Sequence, residues 1–334
     1  MSQNIRCVLA SLFVVTITSV VAVGQESPSY NAQLDGYRYP FPVETFEFSS
    51  QRQTLQMAYM HLKGSEEMPT VVLLHGKNFS GAYWEQTARL LQSRGYSVLI
   101  PDQIGFGKSS KPGYYQFGFP QLAHNTRQLI EKLGIEKPII VGHSMGGMLA
   151  TRYTLMYQND VERLILVNPI GLEDYLKFVQ YKDVQFFYQN EVKKTPADIK
   201  AYQLKNYYDG KWDPAYDEWL KIHVGWINGS DWQRVAWNNA MTYDMIFSQP
   251  VCNEWDNITV PTRLIIGTRD RTGPGRGWKR PGVERELGQY QNLGKQTAAE
   301  IANCQLYELE GLGHMPQIEA FDRFRLEFEK ALQQ

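Results

Sequence analysis

The chain is short of cysteine, with three in 334 residues, and short of any excess charge. Its 34 Lys and Arg are balanced by 35 Asp and Glu, for a formal net charge of −1. That balance argues against nucleic acid or an anionic membrane surface as the main partner, since either would select a basic surface. So few cysteines exclude a disulfide-dense scaffold, and no Cys or His cluster has the spacing of a metal site. Repeats and low-complexity tracts are missing as well. One long apolar run exists, from Cys7 to Val23, after the lone basic residue Arg6. Ala22-Val23-Gly24 suits a cleavage site before Gln25, so residues 1–24 read as a signal peptide. The expected localisation is then exported, periplasmic or secreted, with no stable membrane association after cleavage; the alternative is a retained anchor. Removing the segment leaves about 310 residues, enough for one large α/β domain with an insertion. Cys252 and Cys304 remain, and the sequence leaves open whether they pair.

What the chain does have is alternation. Residues 43–48 and 55–62 read as an opening antiparallel strand pair, followed by a strand at 70–74, a helix at 83–94 and a strand at 96–101. A helix at 119–133, a strand at 139–141, a helix from Met145 and a strand at 164–167 continue the rhythm. Strand, helix, strand order implies a mostly parallel sheet with helices on both faces, in which functional residues gather past the carboxyl ends of the strands. From 170 to 257 the rhythm breaks into a stretch rich in Trp and Tyr, with helix-like pieces at 195–208 and 214–224. This reads as a helical lid, 170–257, set into a core made of 25–169 and 258–334. Of its tryptophans, Trp212, Trp219, Trp226, Trp232 and Trp237, most are expected to hold the lid together and one or two to face a ligand. Strands at 262–267 and 305–308 and an amphipathic helix at 317–332 close the chain.

Three strand ends carry chemistry. PIIVGHSMGGMLA, residues 138–150, places Ser144 at a sharp strand-to-helix turn, with Gly142 and Gly146 where side chains have no room. The turn raises the Ser144 hydroxyl above the sheet, and the Met145 N–H, at the opening of the following helix, points to where an oxyanion would form. Asp270 follows the strand at 262–267, and His314 follows the strand at 305–308 through Gly311-Leu312-Gly313. In that chain order the histidine can take the serine proton while the acid holds the imidazole in the working tautomer. A fourth strand runs into His75-Gly76-Lys77-Asn78, where the glycine lets the next N–H turn toward the pocket. Lys77 is the expected backbone donor with Asn78 second, and His75 is expected to hold the loop.

Taken with Asp102-Gln103-Ile104-Gly105-Phe106-Gly107-Lys108-Ser109, these motifs resemble those of the α/β-hydrolase superfamily, over nearly the whole chain from about residue 43. The resemblance implies an eight-stranded, mostly parallel sheet with flanking helices and an inserted helical lid. It is similar to the lidded serine-hydrolase group that includes carboxylesterases; Ser144 speaks against the epoxide hydrolases and haloalkane dehalogenases, which use aspartate. The expected activity is hydrolysis of a small ester or lactone by Ser144, Asp270 and His314, with the N–H groups of Lys77 and Met145 as oxyanion hole and no cofactor. Carbon–carbon hydrolysis or cofactor-free peroxidase chemistry with the same triad is the alternative. A non-catalytic exported binding protein of the same fold is the reading from another class. The basic run Arg271 to Arg280 is expected to be a solvated loop, with binding of an anionic substrate group as the second possibility.

Overall fold

A computed structural model describes residues 27–333. The segment read as a signal peptide, 1–24, lies outside the described residues. Eight strands form one sheet: β1 (Glu44–Ser50), β2 (Gln53–Leu62), β3 (Thr70–Leu74), β4 (Ser97–Pro101), β5 (Ile139–His143), β6 (Arg163–Val167), β7 (Thr262–Gly267) and β8 (Cys304–Leu309). Their spatial order is β1-β2-β4-β3-β5-β6-β7-β8. β2 pairs antiparallel with both β1 and β4, and every other pairing is parallel. The five-residue runs TVVLL, IIVGH and RLILV are buried on both faces, as parallel strands under helices must be. The edge strands β1 and β8 are mixed in exposure.

Ten α-helices accompany the sheet among the described residues: α1 (Glu85–Ser93), α2 (Phe119–Lys132), α3 (Met145–Met156), α4 (Val184–Glu191), α5 (Pro196–Asn206), α6 (Asp217–Ile227), α7 (Trp232–Ser248), α8 (Tyr290–Glu300), α9 (Pro316–Glu319) and α10 (Phe321–Leu332). Alternate strand residues feed two cores. Val72 and Leu74 pack on the side of α2 and α3, while Val71 and Leu73 pack on the side of α1 and α10. α10 fits its face with Phe324, Phe328, Ala331 and Leu332, four and seven to eight residues apart.

The elements depart from the sequence reading in identifiable ways. The helix expected at 83–94 is a 3₁₀ turn, Gly81–Trp84, followed by α1. The piece at 214–224 likewise begins as a 3₁₀ turn and becomes α6 only at Asp217. The closing helix expected at 317–332 is broken at Ala320, whose extended φ of −152° separates α9 from α10. Four helices, α4 to α7, lie between β6 and β7. α5 starts where predicted because Thr195 and Asp198 form a reciprocal capping box. Cys252 and Cys304 are both free thiols. No helix among the described residues is long and apolar enough to cross a membrane.

Candidate active site

The parallel register brings the functional strand ends together. Leu74 of β3 is level with Gly142 of β5, His143 of β5 with Val167 of β6, and Gly267 of β7 with Leu309 of β8. Whatever follows each strand therefore emerges over the same edge of the sheet. Ser144 sits at the bend with φ 57° and ψ −123°, a strained conformation for a residue with a Cβ. A Cβ on Gly142 would fall into the carbonyl of Gly146, and one on Gly146 into the carbonyls of Leu74 and His75, so the motif glycines are steric requirements of the turn.

His314 Nε2 lies 2.9 Å from Ser144 Oγ, and His314 Nδ1 lies 2.6 Å from Asp270 Oδ2. All three residues are buried, with 8% of Ser144 exposed into the cavity described below. A carboxylate so close to Nδ1 sets the tautomer: Nδ1–H donates to Asp270, and Nε2 is left to accept the Ser144 hydroxyl proton. Burial works to raise the Asp270 carboxyl, but the His314 imidazole and hydrogen bonds from His314, Asn168 and the Thr272 N–H outweigh it and hold the pKa below the usual range. Of the two carboxylates past the preceding strand, Asp174 accepts from Asn253 Nδ2 at 3.2 Å, and Glu173 is likewise held elsewhere. It accepts from Arg285 Nε at 3.0 Å and from the Gly288 N–H at 2.9 Å.

Met145 opens α3 and Lys77 follows Gly76, whose Cα stands so near the elbow that a Cβ there would be 3.0 Å from Ser144 Cβ. Neither the Met145 nor the Lys77 N–H has a hydrogen-bond partner among the described residues. His75 holds its loop: Nδ1–H donates to the Gly76 carbonyl at 2.8 Å and Nε2 accepts from the Gln103 N–H at 3.0 Å. The Lys77 side chain runs inward, and its Nζ donates to the Asn239 carbonyl on α7 at 2.7 Å.

Several supporting residues escaped the sequence reading. The Gly76 N–H donates to Tyr83 Oη at 2.8 Å, and the Tyr83 hydroxyl donates in turn to His143 Nδ1 at 2.9 Å. His143 Nε2–H donates to the His314 carbonyl at 2.8 Å, tying the elbow to the histidine loop. Burial, first, and the neighbouring His314 push the His143 pKa down to about 3, so it serves this chain as a neutral ring. Asn168 takes a left-handed φ of 38° just past β6, accepts from the Gly267 N–H and donates to Asp270 Oδ2 at 2.9 Å. An asparagine directly after a buried strand is the one local signal that marked it. The Tyr207 ring, from the insertion, lies 4.9 Å from that of His314.

Ser144 opens into a cavity of about 460 Å³ lined largely by residues between β6 and β7. Its aromatic lining is Phe79, Phe186, Phe187, Tyr202, Tyr207, Tyr243 and Trp278. None of Trp212, Trp219, Trp226, Trp232 or Trp237 lines it, which corrects the expectation that one or two would. Their indoles are used in packing: Trp226 is buried with its N–H on the Asn31 carbonyl, and Trp237 donates to the Gly113 carbonyl. The basic run 271–280 contributes Thr272, Pro274 and Trp278 to the lining, while Arg271 and Arg280 donate to main-chain carbonyls. Among the described residues no cluster of His, Cys, Asp and Glu could hold a metal ion.

The family model for the alpha/beta hydrolase fold matches residues 69–280. The chain belongs to the α/β-hydrolase fold family. The crystal structure of a probable hydrolytic enzyme from Pseudomonas aeruginosa is similar to this α/β hydrolase at 44% identity and a TM-score of 0.89, over 92% of this chain and 99% of that one. An esterase from Exiguobacterium antarcticum shares the fold with a TM-score of 0.66 at 18% identity, over 84% of this chain and 96% of its own. A Mycobacterium tuberculosis protein is 35% identical over 104 residues, 31% of this chain and 30% of the relative. The match to such curated relatives thus spans about a third of their length.

Proposed function

We propose that this hydrolase is an exported serine hydrolase that cleaves a carboxylic ester or lactone of modest size through an acyl-enzyme on Ser144. The observation that carries the reading is the unbroken relay from Asp270 Oδ2 to His314 to Ser144 Oγ, 2.6 and 2.9 Å long. Ser144 attacks the carbonyl carbon as His314 Nε2 takes its proton, and the carbonyl oxygen becomes an oxyanion facing the unpartnered N–H groups of Met145 and Lys77. Asp270 stabilises the imidazolium, which then delivers the proton to the leaving alcohol. Water, activated by the same histidine, releases the acid and restores Ser144. Residues 170–257 act as a lid that sets substrate choice, and its tyrosines and phenylalanines exclude water from the reacting carbonyl. Likeness to an esterase supports a small-molecule substrate.

An organophosphonate should label the protein with one equivalent at Ser144, and an Ser144→Ala variant should stay unlabelled. Intact mass and peptide mapping read the outcome; an adduct on another residue would overturn the assignment. A panel of aryl esters of graded acyl length, plus lactones, then separates the bond types.

A further inference from the structure

The cavity in front of Ser144 combines an apolar wall with an unusual group of polar side chains. Lys77, Glu191, Lys194, Gln203 and His223 all line it, and all but Lys194 are at least nine-tenths buried. Burying a charge is costly unless it is paired. Glu191 meets that condition, since Lys194 Nζ donates to its Oε1 at 2.5 Å. Lys77 does not. Its ammonium has one short acceptor, the Asn239 carbonyl at 2.7 Å, and two marginal ones at 3.5 Å, Asn78 Oδ1 and Thr242 Oγ1. No carboxylate forms an ion pair with it among the described residues.

Lys111 shows what a purely structural buried lysine looks like in this protein. Its Nζ donates to two main-chain carbonyls, Gly107 at 2.6 Å and Ser109 at 2.9 Å, and lies over the Trp226 ring, away from the cavity. Lys77, whose Nζ likewise lies over an aromatic ring, that of Tyr243 at 5.1 Å, differs in lining the cavity directly after Gly76. Around the same cavity Glu191 Oε2, Gln203 Oε1 and His223 Nε2 are buried without a protein partner. The two oxygens are acceptors that call for a donor such as water or a ligand hydroxyl, so Lys77 alone favours an anion. Asp198 also reaches the lining, but its carboxylate is bound to the Thr195 N–H and hydroxyl at the start of α5. His223 is kept neutral by burial, which pushes its pKa down to about 3. Glu191 is paired with Lys194 and also attracts Lys77, so these two lysines leave one positive charge in excess over Glu191 at the cavity; burial lowers the Lys77 pKa to about 7 against the pull of Glu191.

We propose that Lys77 Nζ anchors a carboxylate carried by the substrate, so that the enzyme prefers anionic esters to neutral ones of the same length. The inference rests on the ester-hydrolase reading above. It assigns the Lys77 side chain a role in selectivity separate from that of its backbone N–H.

Two matched pairs of esters test it. Phenyl hemiglutarate against phenyl pentanoate places the charge on the acid side; the pentanoates of 4-hydroxyphenylacetate and 4-ethylphenol place it on the alcohol side. At least one anionic ester should exceed its neutral partner in kcat/KM by about tenfold, the scale of one desolvated charge-assisted hydrogen bond. Lys77→Met should remove most of that excess. Lys77→Gln, which keeps a donor toward Asn239, should do the same if the methionine variant fails to fold. Because the readout is a ratio within each variant, a general loss of turnover does not disguise it. The same pairs titrated calorimetrically into the Ser144→Ala protein report selectivity without hydrolysis. Preferential binding of an anionic ester there, with no turnover by the wild type, would uphold the anion site and sink the hydrolase reading alone. Equal treatment of charged and neutral esters in both pairs, or an excess that survives loss of Lys77, would overturn the proposal.

Discussion

Asp270 and Glu173 are both buried carboxylates past strand ends, and their partners divide their roles. Asp270 faces the imidazole; Glu173 faces Arg285 and an amide. Asp270→Asn should lower kcat by about 10⁴ with little change in KM, since loss of the orienting carboxylate releases the tautomer that leaves Nε2 free to accept. Glu173→Gln should cost stability and leave the pH–rate profile unmoved. Steady-state kinetics of the two variants side by side checks the assignment. Lys111 offers a test on pH and stability. Burial brings its pKa down to about 7, whereas an unfolded lysine holds its proton to about 10.4. Between those values the unfolded chain binds the extra proton, so this residue makes stability rise with pH. Denaturant unfolding at pH 7 and pH 9.5 should show a larger gain for the wild type than for Lys111→Met. Equal gains would mean that the Gly107 and Ser109 carbonyls keep the ammonium charged.

At the scale of elements, the elbow between β5 and α3 is the most constrained piece. Gly146→Ala would press a methyl into the carbonyls of Leu74 and His75, driving α3 away from β3. Overpacking of this kind costs about 1–3 kcal/mol. Phosphonate labelling should slow by a larger factor than the loss of stability explains, because the Met145 N–H moves with the helix. The elbow was legible in the sequence because its requirement is local. Other elements were not. α7 buries Asn238, Asn239 and Thr242 on the same face as Val235 and Ala236, so its inward stripe does not read as apolar. α8 is polar and carries Gly294, which lies against the Ile266 side chain of β7; there the glycine serves close packing, not a turn. α4 is only eight residues long.

Across the whole molecule, the described part of the N-terminal segment straps the insertion to the rest of the chain. The Tyr30 N–H donates to the Gly225 carbonyl, the Ala32 N–H to Asp231, and Trp226 back to the Asn31 carbonyl. A side chain at Gly225 would meet the Tyr30 ring. Gly225→Leu should therefore lift the strap, lower the melting temperature and open the segment before β1 to limited proteolysis. Unchanged proteolysis would show that the remaining contacts hold it alone.

Strand positions, the strained serine turn and the chain order of Ser144, Asp270 and His314 could be read from the sequence, because each depends on residues adjacent in the chain: burial period, turn sterics, the residue after a strand. The crossover order β4-β3-β5-β6 is a property of the folded sheet. It sets Lys77 and Asn168 on either side of Ser144 and joins Tyr83 to His143, while the packing of the segment between β6 and β7 fits Tyr207 against His314. The polar lining of the cavity is decided the same way. Lys77, Glu191 and His223 belong to a strand end and two separate helices, and titratable groups so far apart in sequence acquire a shared low-dielectric surrounding only when those elements pack.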